Sequence, residues 1–195
     1  MKKKKWYDYL WIYTPIYLLL GMFNILFAWL GMIEFAIPLG MAVIKGNKTF
    51  CHRYCGRGQF FDLLGNKLKL SRQKQPPKFL SSKLFRYTFL IFFMSMFIMM
   101  IYSTYQVFAG TKNMTQIVTL LWSVKIPWMF AYQGTVYSPG VAQFAFGMYS
   151  MMLTSSVLGF LTMLIYRPRT WCVYCPMGTM TQAICQIRNR GNNDE

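Results

Sequence analysis

Two short segments, far apart in the chain, carry the side chains best suited to hold a metal. One runs Lys48-Thr49-Phe50-Cys51-His52-Arg53-Tyr54-Cys55-Gly56-Arg57-Gly58 and the other Arg169-Thr170-Trp171-Cys172-Val173-Tyr174-Cys175-Pro176-Met177-Gly178. Aligned with one gap, both read basic residue, Thr, aromatic, Cys, a spacer ending in Tyr, Cys, Gly or Pro, any residue, Gly. Soft thiolates select iron–sulfur clusters, zinc or copper(I). Cys51, Cys55, Cys172 and Cys175 supply the four ligands of a cubane cluster, and equally those of a structural zinc site. Thiol–disulfide exchange with a quinone is a third chemistry open to paired cysteines.

The neighbours of these cysteines favour an anionic centre. Gly56 and Pro176 directly after each pair suit a turn into a helix, because Pro is tolerated at a first helical position. Helices over 59–64 and 179–187 would then aim backbone N–H groups at the sulfurs. Arg53, Arg57, Arg167 and Arg169 flank them and would offset the thiolate charge. Cys185 is left over and reads as a buried free thiol. His52, inside the first pair, has no counterpart in the second and is expected to be an edge residue rather than a ligand.

These motifs must be positioned by membrane elements. The 195 residues are 55% hydrophobic and only 13% charged, about half the charge of an ordinary soluble domain. Leu10–Leu30, Leu84–Phe108 and Val141–Tyr166 each reach the roughly 20 residues a crossing helix needs. Gly31–Ile44 is shorter and interrupted by Glu34 and Pro38, yet the charge pattern requires it to bring the chain back. Glu34 is either a functional ionisable group in an apolar stretch or the mark of a helix end near water. Gln116–Tyr132, broken by Lys125 and Pro127, suggests an interfacial helix, with Trp122, Lys125 and Trp128 as anchors.

The net charge of +16 comes from 21 Lys and Arg against five acids. The basic residues fill the gaps between apolar segments, so membrane topology accounts for them better than nucleic acid does. Eleven lie between Lys45 and Arg86, whereas the connection from Ala109 to Gly140 has only Lys112 and Lys125. The positive-inside rule then puts both termini and the 45–86 connection in the cytoplasm, and both cysteine pairs at the cytoplasmic membrane edge. Lys2–Lys5 before a long apolar run, with no small-x-small site after it, indicates a retained helix rather than a cleaved signal. The sixteen methionines, Met94, Met96, Met99, Met100, Met148, Met151 and Met152 among them, are expected to pack or face lipid rather than bind copper.

The second motif resembles the Cys-x-x-x-Cys-Pro motifs of membrane-bound polyferredoxins, a group that includes accessory proteins of nitrate and nitrous oxide reductases and an oxidase-assembly protein. This chain departs from the pattern in its two-residue second spacer, in Gly56 where the family has Pro, and in lacking a soluble ferredoxin module. The resemblance implies cluster ligation by Cys51, Cys55, Cys172 and Cys175. It also implies electron transfer from the cytoplasmic side or a quinone pool toward a membrane or exported partner.

The expectation is an all-α polytopic protein of about four transmembrane helices plus one interfacial helix. It forms a single iron–sulfur domain over 1–195, with one half near 6–65, a cytoplasmic loop near 66–83 and a similar half near 84–190. One 4Fe–4S cluster is the expected cofactor, with quinone as a further candidate. Membrane lipid, a cytoplasmic ferredoxin or flavoprotein donor and another redox subunit are the expected partners, without nucleic acid. No group for substrate chemistry stands out, so an electron-transfer subunit in the cytoplasmic (inner) membrane is expected rather than a free-standing enzyme. The alternatives are a quinone-linked thiol–disulfide oxidoreductase and a structural zinc-binding subunit.

Overall fold

The computed structural model describes residues 6–46, 50–121, 123–127 and 138–191. The fold is helical, as expected. Its helices are α1 (Tyr13–Phe23), α2 (Leu30–Lys45), α3 (Gly56–Asp62), α4 (Lys78–Ser81), α5 (Lys83–Phe108), α6 (Pro139–Ile165), α7 (Trp171–Tyr174) and α8 (Pro176–Gly191). Among the described residues, three helical stretches are long and apolar enough to cross a membrane: Ile25–Lys45, Lys83–Phe108 and Pro139–Ile165. Along α5, Ile91, Ile98 and Tyr105 leave their side chains uncovered by protein, as residues facing hydrocarbon would.

The first apolar region differs from the expectation. Leu10–Leu30 is not one helix, because the chain breaks at Asn24. That residue is extended (φ −143°, ψ 114°), and its side chain accepts from the Leu26 amide at 3.1 Å. Such a cap satisfies one of the donors a new helix start leaves free. The long apolar element is therefore Ile25–Lys45, and what precedes it is the shorter apolar helix Tyr9–Phe23. Pro38 lies inside α2 without ending it.

The chain divides into two compact units. One comprises Pro15–Ile33 and Phe93–Val157. Its core is Ile25, Ala28, Val118, Ala145, Phe146 and Tyr149, with Leu18 and Leu153 packed against them. Gly21 lets the Tyr149 ring lie against the α1 backbone, where a Cβ would meet the ring at 2.5 Å. The Tyr149 hydroxyl then donates to the Leu18 carbonyl at 3.0 Å.

Here the expected interfacial helix over 116–132 is replaced by an antiparallel hairpin, β1 (Ile117–Leu120) and β2 (Val124–Pro127), with Val118 opposite Ile126. The reason lies partly in α6, whose Gln143, Ser150 and Thr154 share one helix face. The Thr115 amide donates to Gln143 Oε1 at 3.0 Å, the Thr119 amide to Ser150 Oγ at 3.0 Å and the Leu121 amide to Thr154 Oγ1 at 3.5 Å. Edge N–H groups of a strand need partners where water is scarce, and these side chains provide them. The β-branched residues of 117–126 fit the same conformation. Trp122, Trp128 and the end of that segment lie outside the described residues, as do Lys2–Lys5.

The other unit comprises Met1–Thr14, Glu34–Phe92 and Leu158–Glu195. Phe61, Met163, Trp171 and Tyr174 form its centre, surrounded by Phe60, Leu64, Leu80, Phe85, Phe89, Leu158 and Leu164. Rings meet edge to face, Phe89 on Trp171 at 5.9 Å and Trp171 on Tyr174 at 5.0 Å, the preferred geometry of aromatic quadrupoles. Gly159 of α6 is where Phe61 enters, since a Cβ there would stand 2.4 Å from its ring. The connection after α3 follows the end of α6: the Arg72 amide donates to the Leu164 carbonyl at 3.2 Å and the Ser71 hydroxyl to that of Tyr166.

Candidate metal centre

All four expected cysteines belong to this second unit, and the structure brings them together. Cys51 sits in a single wide turn, Phe50–Tyr54. Cys55 is extended (φ −69°, ψ 102°) and caps α3. Cys172 lies in α7, and Cys175 is extended (φ −52°, ψ 128°) between α7 and α8. The spacers differ by one residue, and the turns absorb the difference. The Cys55 amide donates to the Phe50 carbonyl, five residues back, whereas the Cys175 amide donates to that of Trp171, four back. A π-type turn thus takes up the additional residue, and both second cysteines emerge at an equivalent junction ahead of a helix.

Backbone amides act on both of these sulfurs. The Gly58 amide donates to Cys55 Sγ at 3.4 Å. The Gly178 amide, in the matching position of the other motif, and that of Met177 favour the Cys175 thiolate. Thr181 Oγ1 of α8 stands 3.9 Å from Cys51 Sγ. Gly58 marks the point where the pairs meet: a Cβ on it would lie 3.5 Å from Cys172 Sγ and 3.7 Å from Cys55 Sγ. Gly56 is small for another reason, because its Cβ would be 2.5 Å from the Leu10 carbonyl oxygen of the N-terminal 3-10 segment, Trp6–Ile12. Gln59 ties that segment in by donating to the carbonyls of Tyr7 at 3.0 Å and Arg53 at 2.8 Å.

Burial pushes the Cys55 thiol up to about 11, against the pull of the Gly58 amide, with the Cys175 sulfur adding to the rise. Cys172 is raised by burial and then by Cys55, Cys175 and Cys51. It also keeps an exposed edge, so the cause lies in the protein beneath it and not in complete enclosure. Cys175 is raised by burial first, with Cys51 contributing. Four thiolates cannot share this place uncompensated, and a bound cationic core would remove that cost. The side chains therefore suit a metal–sulfur group: four soft donors, amides aimed at sulfur, and a glycine whose missing side chain leaves space between the pairs. Among the described residues, no three metal-binding side chains close around a single ion.

Of the four flanking arginines, Arg57 acts on Cys55 and Cys175 and Arg169 acts on Cys172. Arg53 and Arg167 are exposed. Arg169 also pairs with Asp62 at 3.3 Å. Cys185 is buried on α8. The His52 side chain, Lys48 and Thr49 lie outside the described residues. Glu34 had two readings in the sequence, and its partner was in neither. It lies 3.5 Å from Arg57, a contact whose only sequence signal was one acid and one base near the same membrane edge.

Comparison with known families gives one match. A family model described as a 4Fe-4S binding domain matches residues 27–77 and 149–191. Each matched segment contains one cysteine pair, and the match supports an iron–sulfur-binding protein. No curated protein and no solved structure matches the chain.

Proposed function

We propose that this chain is a membrane electron-transfer protein in which Cys51, Cys55, Cys172 and Cys175 hold one 4Fe–4S cluster. The observation that carries the reading is the meeting of the two pairs at Gly58, each pair lying within a segment similar to a 4Fe–4S binding domain. Such a cluster supplies one-electron transfer. The protein's own part is to hold four sulfurs in place, favour two of them as thiolates with the Gly58 and Gly178 amides, and set Arg57 and Arg169 against their charge. Amide hydrogen bonds and positive charge both favour the electron-rich state and raise the potential. Iron–sulfur chemistry is the cofactor reading these observations support, and quinone draws no support from them.

In this reading both termini and both cysteine pairs face the cytoplasm. The basis is the eleven basic residues from Lys45 to Arg86 together with the positive-inside rule. The exposed edge of Cys172 is then the place where a cytoplasmic ferredoxin or flavoprotein would exchange electrons, with a membrane or exported protein as the other partner.

The test is anaerobic purification in detergent, followed by iron, sulfide and zinc determination and an EPR spectrum after dithionite reduction. About four irons and four sulfides per chain are expected for a cubane, with a paramagnetic signal on reduction. Zinc without sulfide would instead make the site structural and end the electron-transfer reading.

A further inference from the structure

The two cysteine motifs match at Cys55 and Cys175 and again at Gly58 and Gly178, but the residue before each glycine differs. It is Arg57 in the first motif and Met177 in the second. Positive charge within the Cys-x-x-Gly turns therefore comes from one side only. Arg57 is held there by Glu34 of α2, at 3.5 Å, and the two side chains are 12% and 17% exposed. At that burial the pair is little screened by solvent or salt, so both charges act on neighbouring sulfurs. Arg57 lies in the turn whose next residue, Gly58, donates its amide to Cys55 Sγ at 3.4 Å. Pro38, inside α2, has no N–H for the Glu34 carbonyl four residues earlier.

We propose that Glu34 is a positioning residue that holds Arg57 against the cysteine quartet and, through its own negative charge, limits how far that arginine raises the potential of the bound centre. This rests on the cluster reading above. Adding one electron makes the centre more negative. A nearby cation stabilises the reduced form and a nearby anion destabilises it. With Glu34 beside it, the upward shift is smaller than Arg57 alone would give. A bland ion pair that merely staples α2 to α3 would leave the potential unmoved.

The experiment is a mediated one-electron redox titration by EPR on the anaerobically purified full chain, with iron and sulfide measured in each sample. Glu34→Gln keeps an oxygen that accepts from the guanidinium and removes the charge, so the midpoint potential is expected to rise. Arg57→Gln is expected to lower it. The double variant should lie above Arg57→Gln. A tenfold change in the reduced-to-oxidised ratio, which is about 59 mV for one electron, is the expected scale for each single variant.

A Glu34→Gln potential at or below the wild type overturns the proposal. So does a double variant no higher than Arg57→Gln, a comparison that stands even if Glu34→Gln alone binds no cluster. Loss of iron and sulfide in both Glu34 variants, with wild type loaded, would reduce Glu34 to a fold-holding role and also overturn it. A wild-type chain without iron and sulfide is a separate failure, that of the cluster reading itself.

Discussion

Gly58 lies against Cys172, from the opposite end of the chain, closely enough that a single added methyl would touch its sulfur at 3.5 Å. The same methyl would stand 3.7 Å from Cys55 Sγ. Both are ordinary van der Waals distances, so Gly58→Ala is expected to fold. It fills the space between the two pairs, however, and cluster retention should fall. Changes just outside metal ligands commonly cost about tenfold or more in affinity. Iron retained after a timed chelator challenge, compared with wild type, checks this; equal retention would remove Gly58 from the site.

The raised thiols give the cluster-free protein a defined pH dependence. Cys55 titrates at about 11 in the fold, against 9.0 in its absence. Burial thus favours the protonated form, and the stability it contributes is fully present below about pH 9. It is lost as pH rises from there through 11. The cluster-free chain should therefore melt at progressively lower temperature above pH 9, whereas the loaded chain, whose sulfurs are already ligands, should change less. Because ligation releases protons, reconstitution with iron and sulfide is expected to go further at pH 8.5 than at about 6.5. Loading independent of pH would contradict this.

Asn24 sets where the long first apolar element begins. Asn24→Ala removes the side-chain acceptor from the Leu26 amide and is expected to cost about 1 kcal/mol. Thermal unfolding in detergent, followed by circular dichroism, measures it. An unchanged midpoint would mean the break belongs to the packing around it and not to the cap.

Gly159→Val should act on the aromatic centre of the site-bearing unit. Its Cβ would meet the Phe61 ring at 2.4 Å, and overpacking of this kind costs about 1–3 kcal/mol. Since Trp171 and Tyr174 share that centre and are bonded to Cys172 and Cys175, iron content should fall together with stability. Loss of one without the other would separate the core from the site.

The two cysteine motifs are legible in the sequence, because their signal is residue type and spacing within short segments. Helices after each pair were legible too, from Gly56 and Pro176. What the sequence hid depends on contacts between distant segments. Over the described part of 116–132, the helix reading failed because Gln143, Ser150 and Thr154 of α6 satisfy the amides of Thr115, Thr119 and Leu121, in and beside β1, and nothing in the segment itself announces those partners. Reading Leu10–Leu30 as one span failed because hydropathy averages over Asn24, which is extended and caps the Leu26 amide at the break. Of the methionines singled out, Met96, Met100, Met148 and Met151 are buried and Met99 is exposed. Glu34 looked ambiguous because Arg57, its partner, is separated from it in sequence and reaches it only through the turn at the first cysteine pair.

The most direct test of the central claim is native mass spectrometry of the anaerobically purified chain beside four single variants, Cys51→Ser, Cys55→Ser, Cys172→Ser and Cys175→Ser, with Cys185→Ser as control. The account expects the wild type and Cys185→Ser to carry the mass of one 4Fe–4S cluster per chain, and each of the four variants to lose or markedly deplete it. A cluster that survives in both variants of one pair, or depends on Cys185, would contradict a single centre shared by the two motifs.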